Sequence, residues 1–195
     1  MNQKTKKMVG VGLLTAIVVV LQSLAVIIPV GIFNLNLVLV PIVVGAALYG
    51  VAAGAWLGFV SGMMILFTNA GAFLAVSVIG TIITVLGKGI GSGLVAGLVY
   101  QALKKVNLNL SVICAAIVCP VVNTAVFLLG CWLFFLPTIT GWGEAWAAST
   151  GKASFSVVEY MLVGLVGTNF LIELAISIVL SSTIVRIVQI GKSGR

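Results

Sequence analysis

Acidic side chains and histidine are almost absent from this sequence of 195 residues. It contains no aspartate and no histidine, and its three acidic residues are Glu144, Glu159 and Glu173. A Ser-His-Asp triad is therefore excluded, and too few ligands remain to build a catalytic metal centre. We expect a protein that is not an enzyme and that needs no metal ion or other cofactor.

Charged residues of both signs are scarce as well. They make up 7% of the chain, while 62% of the residues are hydrophobic; typical soluble domains carry about 25% charged residues. The net charge of +7 does not point to a nucleic-acid binder, because the basic residues stand mostly at the ends of apolar segments. The composition predicts an integral membrane protein without a soluble domain.

Six apolar segments divide the chain, most of them long enough to cross the ~30 Å hydrocarbon core of a bilayer. The first resembles a signal peptide, but its apolar run is long enough to span the bilayer, so we interpret it as a membrane helix. The sequence predicts an all-α fold with a single six-helix transmembrane domain over residues 1–195. The predicted helices cover approximately residues 8–28, 32–49, 52–68, 80–103, 110–135 and 157–188.

The distribution of positive charge predicts the orientation of these helices. If the N-terminus is cytoplasmic, eight basic residues lie on the cytoplasmic side and only Lys152 lies outside, which predicts two cytoplasmic termini. The predicted outer loops are then residues 29–36, 69–79 and 136–156. The eight cytoplasmic residues are Lys4, Lys6, Lys7, Lys104, Lys105, Arg186, Lys192 and Arg195.

The longest predicted outer loop, residues 136–156, contains two tryptophans and two charges. It is long enough to form a lid over a site that opens outward. Alternatively, Trp142 and Trp146 belong to the aromatic belt that membrane proteins place at the bilayer interface. Glu144 and Lys152 lie in the same loop.

Small residues recur at intervals of four along three of the predicted helices. Such spacing lines one helix face with small side chains and lets two backbones approach closely within lipid. On the third and fourth helices we expect these faces to hold the bundle together, and Gly12 and Ala16 form a smaller patch on the first helix. The two glycine series are Gly54, Gly58, Gly62 and Gly89, Gly93, Gly97.

Several polar residues are predicted to lie at membrane depth, where they are expensive and usually functional. Counting along the helices at 1.5 Å per residue places Lys88, Asn123 and Glu173 at one level, slightly outside the midplane. Asn169 lies one turn from Glu173, while Thr81 and Thr84 share a helix face with Lys88. Asn34 and Asn36 begin the second helix, near the predicted outer mouth.

Two interpretations of this polar level stay open. Lys88 and Glu173 could form a buried ion pair that only locks the bundle. Alternatively, the polar residues line a pocket that opens outward, in which Lys88 anchors an anionic or strongly polar group of a substrate. The predicted substrate-binding residues are Lys88, Asn123, Asn169, Glu173, Asn36, Asn34 and Thr84.

Three functions are compatible with these features. The chain could be a substrate-binding subunit of an importer, a stand-alone secondary transporter or channel, or a structural subunit of a larger membrane complex. The first half of the chain shows no clear repeat of the second, which argues against a typical secondary transporter. No His or clustered Cys is available to hold haem or an iron–sulfur cluster, so a structural subunit would be a scaffold only.

Three sequence stretches favour the first function. They are VPIVVGAALYG at residues 40–50 with AGAWLG at 53–58, the stretch from Lys88-Gly89 to GLVY at 97–100, and CPVVNT at 119–124. Together with the length and the six predicted helices, they resemble the substrate-binding S component of energy-coupling factor (ECF) transporters, which are bacterial vitamin importers. The resemblance covers nearly the whole chain.

The resemblance implies partners and a mechanism. In that family, two small residues four apart on the first helix contact the transmembrane scaffold subunit. Here Gly12 and Ala16 match them, with glycine in place of the usual first alanine. The resemblance also implies two cytoplasmic ATPases, a location in the bacterial cell membrane, and an S component that binds its vitamin facing outward and then topples to release it inside.

Substrates of the family include riboflavin, thiamine, folate, biotin and pantothenate. A single intramembrane lysine with several asparagines suits a small carboxylate that also carries hydroxyl and amide groups. Few aromatic residues are expected near the pocket, which argues against a flat ring such as flavin or a pterin. Pantothenate is therefore the first substrate that the sequence suggests.

Overall fold

The computed structural model describes residues 2–25, 29, 30, 33, 34, 36–152 and 155–193, and this part of the chain is almost entirely helical. One hairpin of two-residue antiparallel strands, β1 and β2, pairs Pro29 with Asn34. The elements are α1 (Gln3–Ala25), β1 (Pro29–Val30), β2 (Phe33–Asn34), α2 (Leu39–Tyr49), α3 (Val51–Thr68), α4 (Gly71–Leu74), α5 (Val78–Leu103), α6 (Leu108–Phe134), α7 (Leu136–Ser149), α8 (Val157–Glu159), a π-helical segment (Tyr160–Leu165) and α9 (Gly167–Ser193).

Four of these helices are long and apolar enough to cross a membrane, namely α1, α3, α5 and α6. A fifth span is possible if α8, the π-helical segment and the first part of α9 cross together, although they bend by 46°. The structure therefore supports four or five spans by length and composition, and the sixth that the sequence predicted is not found among the described residues.

The second predicted helix accounts for this difference. Helix α2 has 11 residues, or about 17 Å at 1.5 Å per residue, which is roughly half of the hydrocarbon core. The predicted start at Ile32 and the predicted end of the first helix at Ile28 lie outside the described residues. An apolar run alone cannot distinguish a helix from extended chain, and here part of the run forms the β1–β2 hairpin.

Two predicted outer loops contain helices as well. Most of residues 136–156 forms α7, which begins with Pro137 in its first turn, and the segment 69–79 contains the short helix α4. The prediction of a loop was wrong for residues 136–156 because their Gly, Thr and Ser residues, which are common in loops, are also tolerated in a helix. The helix in residues 69–79 is a single short turn of mostly apolar residues.

Local capping explains where two of the long helices begin. The Ser77 hydroxyl accepts a hydrogen bond from the Gly80 backbone N–H at 3.1 Å and starts α5. The Asn107 side chain accepts from the N–H groups of Asn109 and Leu110 and starts α6. These side chains satisfy donors that the first turn of a helix leaves unpaired.

The closest packing in the bundle is between the antiparallel helices α3 and α5. A Cβ atom added to Gly54 would lie 2.6 Å from the carbonyl oxygen of Gly93, and one added to Gly58 would overlap the carbonyl of Gly89. Gly62 approaches Val85 in the same way. The two glycine series therefore pack against each other, as the spacing indicated, and they set the distance between the two backbones.

The two ends of the bundle differ in charge. One end contains the start of α1, the α2–α3 turn at Gly50, the α5–α6 connection and the end of α9. At this end the Gln189 side chain donates a hydrogen bond to the Asn109 side chain at 3.3 Å, which joins α9 to the start of α6. Seven of the eight basic residues that define the predicted cytoplasmic side lie at this end, and Arg195 lies outside the described residues. The opposite end contains the hairpin, α4, α7 and α8.

The glycine contact between α3 and α5 leads to a first prediction. Gly58→Ala and Gly93→Ala should each lower the free energy of unfolding by about 1–3 kcal/mol, because the new methyl group forces two helix backbones apart. Gly91→Ala is the matched control on α5, since its nearest contact would be an ordinary one, 3.8 Å from Val122 Cγ1. Thermal unfolding of the purified variants in detergent measures the effect. Equal stability of Gly58→Ala and Gly91→Ala would contradict it.

Candidate functional site

A cavity lies within the half of the bundle that carries the hairpin, α4 and α7. It is partly open to the outside and has a cavity volume of about 80 Å³. Its walls come from the second halves of α1 and α6, the end of α3, the first half of α5 and the first turns of α9, together with α4, the residues just before it and the chain just before α2. Residues that are far apart in sequence therefore share this one space.

The cavity brings together six of the seven residues that the sequence predicted as substrate-binding. The seventh, Asn34, belongs to strand β2, where only the backbone is described. The polar residues of α5, α6 and α9 that the sequence placed at the same depth therefore line one cavity. The six lining residues are Asn36, Thr84, Lys88, Asn123, Asn169 and Glu173.

Sequence reasoning missed several lining residues. Gln22 on α1 is 3% exposed and is reached by a long hydrogen bond of 3.5 Å from Ser61 on α3. A glutamine inside a membrane helix is itself a signal of function, and the position of Gln22 within the apolar run of α1 carries that signal in the sequence. Asn69, Thr81 and Thr124 also line the cavity.

The expectation that few aromatic residues lie near the pocket was wrong. Four phenylalanines line it: Phe73, Phe127, Phe135 and Phe170. Phe73 makes edge-to-face contacts with Phe127 at 5.7 Å and with Phe135 at 5.1 Å between ring centroids. They come from α4, α6, the α6–α7 junction and α9, so no sequence spacing could have grouped them.

Lys88 and Glu173 face the same cavity without forming an ion pair within 4.0 Å in the described structure. The Lys88 ammonium lies 5.0 Å from the centre of the Phe127 ring, a cation–π contact. Its charge interacts with that of Glu173 through space, yet no hydrogen-bond acceptor contacts it among the described residues. Among the described residues, Lys88 and Glu173 therefore do not form the locking ion pair.

Glu173 is held by neighbours other than Lys88. The Asn169 side-chain N–H donates to Glu173 Oε1 at 2.9 Å, and the backbone N–H of Asn36 also interacts with the carboxylate. Glu173 itself is 4% exposed. The carboxylate is therefore positioned by an asparagine one turn before it and by the chain that leads into α2.

A break in the last span places these residues. The π-helical segment ends at Leu165, the chain turns at Val166, and α9 starts again at Gly167 in a direction that differs by 46°. Asn169 and Phe170 follow directly in the first turn of α9 and line the cavity. Irregular helical turns of this kind often occur at functional sites.

Helix α7 covers the cavity end of the bundle and points its tryptophans into the protein. Trp142 makes an edge-to-face contact with Phe73, which lines the cavity, and Trp146 packs against Tyr160. Lys152 forms an ion pair with Glu159 and also lies 4.7 Å from the Trp146 ring. The tryptophans are thus packing residues beside the site as well as residues near the predicted interface.

The comparison with family models decides between the three functions. The model of the ECF transporter substrate-specific component matches residues 6–188. The chain belongs to this family. No curated protein and no solved structure matches it.

Membership in the ECF substrate-specific component family has direct consequences. Such proteins are transporter subunits rather than enzymes, and the family implies a small-molecule substrate and association with an ECF scaffold and ATPase modules. The chain is accordingly a multi-pass membrane protein. The resemblance that the three sequence stretches indicated is confirmed over nearly the whole chain.

On the S component's first helix, the small-residue patch lies on an exposed face. A Cβ atom added to Gly12 would meet nothing within 4 Å, and Ala16 is exposed as well. Around them, Leu13 is 65% exposed and Val20 is 56% exposed. This face of α1 is covered by no other described part of the chain.

The separation of Lys88 from Glu173 leads to a second prediction, concerning stability without ligand. Lys88→Met should lower the free energy of unfolding by no more than about 1 kcal/mol, the worth of its contact with Phe127. Asn169→Leu should lower it by about 1–3 kcal/mol, because Glu173 loses its hydrogen-bond donor. Thermal unfolding in detergent compares them. A loss of about 3–5 kcal/mol in Lys88→Met that Glu173→Gln restores would instead establish a locking ion pair.

Proposed function

We propose that this S component captures a vitamin or related micronutrient on the outer side of a bacterial cytoplasmic membrane. The molecule binds in the cavity of Lys88 and Glu173, and a scaffold subunit with two cytoplasmic ATPases drives its import. The observation that carries this proposal is a polar cavity, deep in an apolar bundle, whose only lysine has no ion-pair partner among the described residues. Ionisable side chains within membrane segments commonly mark functional sites.

The proposed orientation has both termini in the cytoplasm, so that the cavity opens outward. The basic residues at the end of the bundle remote from the cavity support this orientation by the positive-inside rule. In the proposed six-span arrangement, the short helix α2 is completed by the chain that precedes it. Non-helical backbone is tolerated at membrane depth where it lines a cavity, and Asn36 lies in such a position.

Pantothenate, the first substrate suggested by the sequence, suits the polar part of the cavity. Its carboxylate would pair with Lys88, and its hydroxyl and amide groups would meet the asparagines. The expected lack of aromatic residues no longer favours it over vitamins with planar rings, because four phenylalanines line the cavity. Vitamins with planar rings are therefore equally strong candidates for the site.

The third prediction tests capture directly. The purified protein should retain a small molecule that mass spectrometry identifies after extraction, and the compound should rebind to the emptied protein. Lys88→Ala should weaken rebinding by roughly 2–5 kcal/mol, because a buried charge of the ligand loses its partner. Lys88→Arg should restore binding only in part, because a planar guanidinium needs more room than an ammonium.

Two outcomes of this binding experiment would contradict the proposal. Unchanged affinity in Lys88→Ala would remove Lys88 from the site. Proton- or sodium-driven uptake by vesicles that contain this protein alone, without any ATPase, would show a stand-alone secondary transporter instead.

The fourth prediction concerns assembly. Gly12→Leu and Ala16→Leu should weaken co-purification with the scaffold at least tenfold while leaving ligand affinity unchanged, because a bulky side chain prevents close approach of a second helix. Ala125→Leu is the matched control, since Ala125 is an exposed small residue on another helix, α6. Loss of ligand binding without loss of assembly would show that this face of α1 serves the cavity rather than the scaffold.

A further inference from the structure

The cavity contains buried hydrogen-bond acceptors that have no partner within the described residues. The side-chain oxygens Oδ1 of Asn36 and of Asn169 are both buried and unpaired, and so is the hydroxyl of Thr84, which can donate as well as accept. All three residues line the cavity. An unmade hydrogen bond at a buried acceptor is unfavourable. A ligand with hydrogen-bond donors would therefore pair favourably with the two asparagine oxygens.

The orientation of Asn169 is fixed by its neighbour. Its Nδ2 group donates to Glu173 Oε1 at 2.9 Å, so its oxygen is the atom left free. The Glu173 carboxylate also interacts with the backbone N–H of Asn36, which brings all three residues to one side of the cavity. We call Asn36, Asn169 and Glu173 the acceptor cluster.

The donor and acceptor groups of the cavity restrict the ligand further. Lys88 presents a donor and Glu173 an acceptor, and the two form no ion pair within 4.0 Å among the described residues. A purely anionic ligand would pair with Lys88 but would leave the acceptor cluster without donors. A ligand with donors at one end and an acceptor or anion at the other satisfies both.

The apolar part of the wall suits a flat ring. Phe73, Phe127 and Phe135 pack edge to face and all line the cavity. Phe170 lines the cavity as well. Aromatic side chains favour offset-stacked or edge-to-face contacts with another aromatic ring, which adds to the energy of burying that ring.

Given the proposed function, we propose that the ligand is a planar nitrogen heterocycle whose N–H donors face Asn36, Asn169 and Glu173, while an acceptor or anionic group faces Lys88.

A binding panel with the full chain in detergent tests this class. Thiamine, riboflavin and folate are the ring probes, because each combines a planar nitrogen heterocycle with N–H donors; pantothenate is the open-chain carboxylate probe. Calorimetry should give at least one ring probe a Kd at least 100-fold lower than that of pantothenate. Pantothenate binding as tightly as the best ring probe, or binding by none of the ring probes, would overturn the inference.

The best-binding ring probe then tests the acceptor cluster. Asn169→Ala and Asn36→Ala should each weaken it at least tenfold, because each removes an acceptor for a ligand donor. Asn109→Ala is the matched control: it is an exposed asparagine at the opposite end of the bundle that contacts Gln189. If Asn169→Ala does not fold, Asn36→Ala provides the test instead. Unchanged affinity for the ring probe in the folded variants would overturn the inference.

The two proposals fail in distinguishable ways. Tight, Lys88-dependent binding of pantothenate would keep the proposed function and reject the heterocycle. Absence of binding by every probe, together with absence of any co-purified compound, would reject both.

Discussion

The close approach of α3 and α5 is the contact on which the rest of the structure depends. Lipid provides no hydrophobic force between helices, so they associate through backbone contact and van der Waals packing. Glycines at Gly54 and Gly58 meet Gly93 and Gly89 across this interface, leaving no room for a single methyl group. The contact aligns the end of α3 with the start of α5, and both of these helix ends line the cavity.

The contact between α5 and α6 beside the cavity is of a different kind. Gly130 on α6 lies against the Thr84 side chain rather than against a backbone. Long polar side chains and phenylalanines line the space that α5 and α6 share with α9. The same bundle therefore combines a tight glycine interface with a cavity lined by polar and aromatic side chains.

Interruptions of regular helix supply the polar groups of the site. The turn at Val166 allows α9 to restart beside the cavity with Asn169 and Glu173 one turn apart on the same face. The late start of α2 at Leu39 leaves Asn36 outside any helix, where its backbone N–H can interact with the Glu173 carboxylate. Backbone that is not paired within a helix is tolerable at this depth only because it lines a polar space.

The sequence by itself determined the class of protein, the glycine interface, the end of the bundle that carries positive charge, and most of the polar side chains of the cavity. These follow from composition and helical spacing, which are local properties of the chain. Tertiary structure decided the short α2, the bend before α9, the aromatic wall around Phe73 and the separation of Lys88 from Glu173. Each of these depends on how helices distant in sequence pack, and no spacing along one helix reports the distance between side chains on two different helices.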